Sequence, residues 1–341
     1  DSSTSRGLGD VYKRQGILGA ARIAPSAIIF PAQATGHKLL AVGARDKAKA
    51  TEFAKQHMIE KVYGSYQEVI DDPEIDVIYN PLPNNAHGPW NIKALAAGKH
   101  VLSEKPSASN AAEAKEVAAA VSKSGKIFME GFHYYYHPVF QRLLEIIKSG
   151  EIGEVIKVES ALQTPMPDKS DLRLDFDLAG GSIMDVGCYA LHSQRMISQL
   201  IAGGEPTVVN TEANAPDGKL DTKLNVQLKY PNGVAAIAKG DFESPAFDAP
   251  LTVTGSKGSV HLPNFVVTGW DPRVIVDVAG NKRVEHLPSL STYTYQLMAF
   301  ADAIDLGKAI KTDAKDALAQ SQLIDSAYLS ANLPLRPTLK I

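Results

Sequence analysis

Between Gly16 and Phe132, short apolar runs alternate with helix-forming stretches, and each run closes on residues that do not belong in a strand. The runs are Gly16-Ile17-Leu18, "KLLAVGAR" from Lys38, "IDVIYNPLP" from Ile75, "HVLSEKP" from His100 and "KIFMEGF" from Lys126. Between them lie "DKAKATEFAKQH", "YQEVIDD", the stretch from His87 to Ala97 and an Ala-rich segment after Asn110. Strands separated by helices at this spacing require right-handed crossovers, and so a parallel sheet covered on both faces. A doubly wound α/β domain over residues 16–135 is the expectation for this half of the chain.

Past Tyr136 the texture changes. After the helix pattern "FQRLLEIIKSGEIG" come strand-like runs such as "VIKVESAL", "TKLNVQLKY", "VAAIAKGDF" and "RVIVDVAG". Pro231-Asn232-Gly233 and Gly255-Ser256-Lys257-Gly258 give hairpin turns between neighbours. The second domain, 136–341, is therefore expected to be an α+β unit with an open, mostly antiparallel sheet and helices on one face. Its last two helices should pack beside that sheet or back on the first domain.

Charged residues make up 21% of the sequence and the formal net charge is -3, so no global field favours nucleic acid. No run approaches the roughly 20 apolar residues of a spanning helix, and no secretory pattern opens the chain, so a cytoplasmic location is expected. Cys188, the single cysteine, can form no internal disulfide. Residues 1–15, "DSSTSRGLGDVYKRQ", are polar and aperiodic, and "DVYKRQ" resembles the translation of a transposon-end adapter. They are expected to be a non-native leader standing in place of the true start.

In a doubly wound sheet, ligands bind outside the carboxyl ends of the strands. The first such end carries Gly19, Ala20, Ala21, Arg22 and Ile23, matching G-x-G-x-x-G only as Gly19-x-Ala21-x-x-Ala24. A strand before it and a helix after it give the phosphate-loop context, with free N–H groups at the helix start; a plain tight turn is the rival. The second end is Ala44-Arg45-Asp46. NAD-selective enzymes place a carboxylate there for the ribose hydroxyls, whereas Arg45 suits a 2'-phosphate, so NADP is the expected cofactor and NAD the alternative. The rival is a solvated Arg45 before a helix capped by Asp46.

Lys105 at the end of "HVLSEKP" would stabilise negative charge developing on an oxygen in the crevice, the rival being a surface pair with Glu104. In "GGSIMDVGCYALH", Gly180-Gly181 would open a helix that sets Asp185, Tyr189 and His192 on one face. A phenol is a base near neutrality only if a cation such as Lys105 supports the phenolate. The rival is a packing tyrosine, and His192 reads as a satisfied helix histidine. His133 and His137 have i, i+4 spacing but no completing ligand, so no metal is expected.

Three stretches, "GILGAARIA", "AGKHVLSEKP" and "GGSIMDVGCYALH", together resemble the Gfo/Idh/MocA family of nicotinamide oxidoreductases. "VYGSYQEVIDDPEIDVIYNPLPNNAH" and "MEGFHYYYHP" are similar to its branch of dimeric dihydrodiol dehydrogenases and NADP-dependent D-xylose dehydrogenases. The resemblance implies a Rossmann domain followed by a substrate and dimerisation domain, and a homodimer formed through the second sheet. It casts Lys105 as the lysine near the nicotinamide, Tyr189 as proton donor and acceptor, and Asp185 as a partner of substrate hydroxyls or of Lys105. Pro81, Asn84 and His87 then contact cofactor ribose and nicotinamide, and Glu104 joins them through its backbone.

The function expected is NADP-dependent hydride transfer at a CH–OH carbon of a sugar or polyol, an aldose such as D-xylose. A trans-dihydrodiol dehydrogenase or carbonyl reductase on a more hydrophobic substrate is the alternative within enzymes. A nucleotide-binding sensor without turnover is the alternative outside them.

Overall fold

A computed structural model of the protein describes residues 14–341. β1 (Arg14–Leu18), β2 (Lys38–Gly43), β3 (Lys61–Tyr63), β4 (Val77–Asn80), β5 (His100–Ser103) and β6 (Phe128–Glu130) form a six-stranded sheet in the order β3-β2-β1-β4-β5-β6. Every pair in it is parallel. Successive strand residues face opposite sides, so a sheet covered twice needs apolar residues at consecutive positions, as in Val77-Ile78-Tyr79, all buried.

α1 (Phe30–Thr35), entered through a π-type turn at Pro25–Ile29, and α2 (Lys47–His57) cover one face. α3 (Tyr66–Asp71), α4 (Asn84–Ala96) and α5 (Ala111–Ser124) cover the other. The strand order reverses between β1 and β4, which opens a crevice at their carboxyl ends.

β1 begins two residues earlier than its apolar run. Arg14 and Gln15, placed in the leader by the sequence pattern, pair with β2, and Gln15 also pairs with β4. Ladder hydrogen bonds come from backbone groups and do not require an apolar side chain. The remainder of the expected leader, residues 1–13, lies outside the described residues.

The second sheet joins β7 (Val155–Gln163), β8 (Thr207–Asn214), β9 (Lys223–Lys229), β10 (Ala235–Asp241), β11 (Leu251–Gly255), β12 (Gly258–Leu262), β13 (Arg273–Val278) and β14 (Asn281–His286). Its order is β14-β13-β12-β11-β7-β10-β9-β8, antiparallel except where β7 meets β10. α6 (Pro138–Ser149) and α7 (Cys188–Ala202) pack on one face, around a core that includes Phe140, Leu191, Leu224, Val253 and Val276.

The last two helices tie the halves together. α8 (Thr292–Leu306) sends Leu297 and Phe300 into the α1 side of the first sheet. α9 (Ala314–Ser330) gives Ala314 and Ala317 to the α4–α5 side, and Leu323, Ile324 and Tyr328 to the second domain's core.

Candidate active site

Every residue singled out in the sequence for cofactor or catalysis lines one cleft of about 950 Å³. The loop after β1 forms its rim. Gly19 has φ +91° and its N–H donates to the Gly43 carbonyl at 2.6 Å, tying the end of β1 to β2. A side chain there would be strained and would meet Leu82 at 3.2 Å, which is why this position retains glycine. Ala21 is half-buried and Arg22 and Ile23 are exposed beside the helix start, leaving the loop backbone accessible to a ligand. Arg22 reaches across the cleft to Asp171 at 3.0 Å, and Asp171 is also held by both Nε and Nη2 of Arg173.

At the end of β2 both sequence alternatives hold at once. Asp46 caps α2 by accepting from the N–H groups of Ala48 and Lys49, while Arg45 faces the cleft. Lys49, one turn further on, lines the cleft as well. Among the described residues neither side chain forms a hydrogen bond or ion pair, so two cations stand unpaired at this end.

The segment after β4 is fixed from below. Asn80 is fully buried and bonds the His87 carbonyl (3.1 Å) and Asn91 (2.8 Å). Asn84 and Asn85 donate to the carbonyls of Ala179 and Asp177, stitching the first domain to the segment that precedes α7. Asn85 therefore bridges the domains and does not cap the helix.

The turn carrying Lys105 is held from two sides. His87 Nδ1 donates to the Pro106 carbonyl (2.7 Å), Asn91 to Ser107 O (3.2 Å), and Glu130 accepts from the Ser107 N–H (2.7 Å). Burial lowers the His87 imidazole to about 4, so it stays neutral in this role. The Lys105–Pro106 peptide is cis.

Glu104 is no surface partner of Lys105. Its carboxyl is buried and accepts from the Tyr79 hydroxyl at 2.8 Å. Lys105, with a side chain 12% exposed, donates to the Asp185 carbonyl at 2.6 Å and lies 3.4 Å from its carboxylate. Burial works against the ammonium, but Asp185 and Glu104 outweigh it and hold the amine above its ordinary range.

Asp185 lies in a π-type turn, Ile183–Gly187, that leads into α7. The helix therefore opens with a wider turn than the even α-helix expected from the spacing, a local feature frequent at functional sites. Arg173 approaches Asp185 from the far side at 3.7 Å. An unbroken series of ion pairs thus runs Arg22, Asp171, Arg173, Asp185, Lys105 along the cleft wall.

Lys105 and Tyr189 are neighbours in the cleft. Lys105 Nζ sits 5.1 Å from the centre of the Tyr189 ring, and the Tyr189 hydroxyl bonds His133 Nε2 at 2.9 Å. Burial, reinforced by Tyr293 and Glu104, pushes the phenol well above its usual range.

His133 and Tyr293 were not assigned to the site from the sequence. His133 packs against Tyr293 with ring centres 3.9 Å apart and ring planes tilted by 38°, and both line the cleft. Neither histidine of the 133/137 pair is placed to share a metal, since His137 caps α6 and bonds the Leu290 carbonyl. His192 is satisfied on both nitrogens, by Tyr134 at 2.7 Å and Asp316 at 2.9 Å. Tyr135 packs on Tyr136 and Phe140, outside the cleft lining.

A parallel sheet with a glycine turn at its switch point, a basic strand end and a lysine–carboxylate–phenol cluster define a nucleotide-dependent oxidoreductase. Residues 13–132 match an oxidoreductase family's NAD-binding Rossmann fold, and residues 140–261 match the GFO/IDH/MocA C-terminal domain. The chain belongs to the GFO/IDH/MocA oxidoreductase family. It is 34% identical to D-xylose 1-dehydrogenase (NADP(+)) 2 of Haloferax volcanii, over 93% of this chain and 96% of that one. It is 31% identical to trans-1,2-dihydrobenzene-1,2-diol dehydrogenase of Xenopus laevis, over 71% of each. Among solved structures it is similar to KijD10, a 3-ketoreductase from Actinomadura kijaniata in complex with NADP and TDP-benzene. That likeness has a TM-score of 0.85 at 25% identity and covers 94% of this chain and 98% of that one.

Proposed function

We propose that the protein is an NADP-dependent oxidoreductase moving a hydride between a CH–OH carbon of a sugar or polyol, an aldose, and the nicotinamide. One observation carries this reading: a single cleft holds two cations, unpaired among the described residues, at the β2 end and, deeper, a buried ammonium beside a carboxylate and a phenol. The cofactor fits the residues present. Gly19 keeps the loop backbone clear for a pyrophosphate, and Arg45 with Lys49 supplies positive charge where an NAD-selective chain places a carboxylate. Pro81, Asn84 and His87 border the region between these cations and Lys105. Bound NADP would supply the hydride acceptor or donor.

The chain's own part is charge and proton handling. Lys105, kept charged by Asp185, stabilises negative charge as it grows on the reacting oxygen. Tyr189 holds a proton in the resting site and is therefore loaded to give it to a carbonyl oxygen; in the oxidising direction it first releases that proton to solvent and, as the phenolate, takes the hydroxyl proton. Asp185 fixes the lysine and offers its remaining lone pairs to substrate hydroxyls.

A fluorescence titration of the protein with NADPH and with NADH tests the cofactor half, followed by turnover on a panel of aldoses. NADPH binding at least about tenfold tighter, with aldose turnover, is expected from one or two charge-assisted bonds. Equal affinities would remove Arg45 and Lys49 from the reading, and absence of turnover on every aldose would sink the substrate half.

A second substrate class is favoured by one feature. Leu162, Val186, Phe247, Val266 and Val267 form an apolar wall of the cleft, and Trp270 meets Phe247 edge-on at 5.3 Å at the rim. Such a wall suits a dihydrodiol or an aromatic carbonyl; ranking both panels by kcat/KM decides between the classes.

Two further expectations rest on the same reading. The sheet face turned away from α7 leaves Ile237 and Ile275 half-exposed on a broad surface, which supports a homodimer formed there; sedimentation at micromolar concentration tests it. A cytoplasmic location is proposed from the nicotinamide chemistry and the lone reduced Cys188, and cell fractionation tests it.

A further inference from the structure

His133 occupies a position that the proposed roles of Lys105, Asp185 and Tyr189 leave unexplained. It is 1% exposed, lines the cleft, and sits in the turn after β6, outside the elements that carry those three residues. Its Nε2 lies 2.9 Å from the Tyr189 hydroxyl, its ring packs against that of Tyr293 at a tilt of 38°, and its Nδ1 is buried without a partner among the described residues.

Only one tautomer is comfortable with these contacts. Protonation at Nδ1 would leave a buried N–H unpaired, the rarer and costlier state, whereas a bare Nδ1 lone pair leaves only an acceptor unused. The proton then belongs on Nε2, where it points at the phenol oxygen.

We propose that His133 is a positioning residue for Tyr189, donating Nε2–H to the phenol oxygen so that the phenol's own O–H faces the substrate. The inference rests on the oxidoreductase reading and specifies how the phenol is held within it. In carbonyl reduction the phenol gives its proton to the substrate oxygen and is left as a phenolate that keeps the Nε2–H bond. In alcohol oxidation the phenol first loses its proton to solvent, and the phenolate so formed, still holding the Nε2–H bond, takes the substrate's hydroxyl proton. His133 changes neither charge nor proton number in either direction.

A relay in which His133 itself takes the proton is disfavoured. Burial, then Lys105 and His137, push the imidazole down to about 3, so an imidazolium has no support. The other groups facing the pair are Glu104 and Lys105 from the β5 end, Asp185 and Cys188 from the Tyr189 helix, Tyr293 from α8, and Tyr134 from the same turn.

The test combines a spectroscopic and a kinetic measurement. Nitrogen-15 spectra of the full-length protein with labelled histidine, with the His133 signal assigned by its loss in His133→Phe, report the tautomer without any substrate. Protonation on Nε2, with a shift of that signal in Tyr189→Phe, is expected. In His133→Phe, which keeps the ring on Tyr293 but removes the donor, kcat for aldose oxidation at pH 7 should fall about 10- to 100-fold. KM should change less than about threefold. The kcat inflection should move to higher pH, so that activity returns in alkali, and His133→Gln, which restores an N–H, should regain most of the rate.

A loss equal at all pH values with the inflection unmoved would mean a packing role only and would overturn the proposal. Protonation on Nδ1 would overturn it as well. If the wild-type protein turned over no aldose, the substrate reading would fail by itself, and the tautomer with its response to Tyr189→Phe would still decide this proposal.

Discussion

Lys105 directs its ammonium at the face of the Tyr189 ring, 5.1 Å from the centre, while the phenol oxygen bonds His133 at 2.9 Å. In the reaction proposed above, the two residues would therefore act on the reacting oxygen as separate groups, one by charge and one by proton. Lys105→Met should lower kcat by roughly 10² to 10⁴, and Tyr189→Phe by a similar factor, with NADPH affinity within about threefold of wild type. Steady-state rates and a direct binding titration of the same preparations check this. Strong weakening of cofactor binding in Tyr189→Phe would place that residue in the binding site instead.

Among the described residues Arg45 and Lys49 stand unpaired at the β2 end of the cleft, so neither has a structural partner there to lose. Arg45→Ala should weaken NADPH about 10- to 100-fold and leave NADH nearly unchanged, since one charge-assisted bond contributes about 1.5–3 kcal/mol. Lys49→Ala should do the same to a smaller extent, and the NADPH preference should shrink as salt rises. Isothermal titration at two salt concentrations measures both effects. Equal losses for the two cofactors would locate these cations at the pyrophosphate instead.

Much of this site was legible because the doubly wound sheet gathers strand ends. Gly19, Arg45, Asn84 and Lys105 are far apart in sequence, yet any parallel sheet of this order brings them to one crevice. Motif spacing also located Tyr189 and Asp185. What the sequence concealed depends on contacts between domains. His133 meets Tyr293 only because α8 folds back onto the first domain, and Asp171 meets Arg22 only because the segment after β7 crosses the cleft. No local period encodes such pairs. Lys49 was visible in principle, four residues after Arg45 in the first turn of α2. The placement of Lys105 over the Tyr189 ring, and the burial that raises the phenol, depend on packing that spacing does not encode.

Glu130 gives a stability prediction with a definite sign. Its carboxyl is fully buried, Oε1 accepts from Ser107, Oε2 has no partner, and burial pushes it up to about 7. A carboxyl raised in the folded state is at full stability below its unfolded value near 4.3 and loses stability as pH rises through about 7. Glu130→Gln removes that dependence whatever constant cost the amide adds. The stability difference between wild type and Glu130→Gln should therefore shift by about 2–3 kcal/mol in favour of the variant between pH 5 and pH 8. Urea unfolding at both pH values measures it, and a difference independent of pH would show that Glu130 stays ionised.

Arg336 and Asp221 hold the helix start that carries Asp185 and Tyr189. Both are fully buried and paired to each other, and Arg336 also donates to the Gly180 carbonyl at 2.6 Å. Asp221 accepts from Ser182 Oγ, the Ile183 N–H and the Tyr328 hydroxyl. Gly181, at φ +124°, leaves room for this pair, since a side chain would collide with Asp221 and Arg336. Arg336→Met removes the cation and leaves a buried carboxylate, a change that typically costs about 3–5 kcal/mol. Burial already raises Asp221 above its ordinary value despite the guanidinium, so in the variant it should take up a proton more readily still. The deficit should therefore shrink as pH falls toward 4, where the neutral acid needs no cation. Adding Asp221→Asn should recover part of the loss at pH 7, by removing the charge while keeping acceptors for Ser182 and Ile183. Urea midpoints of the single and double variants at pH 7 and pH 5 test this; a deficit unchanged by pH and by the second substitution would assign the loss to the guanidinium's packing on Tyr328 and Phe176.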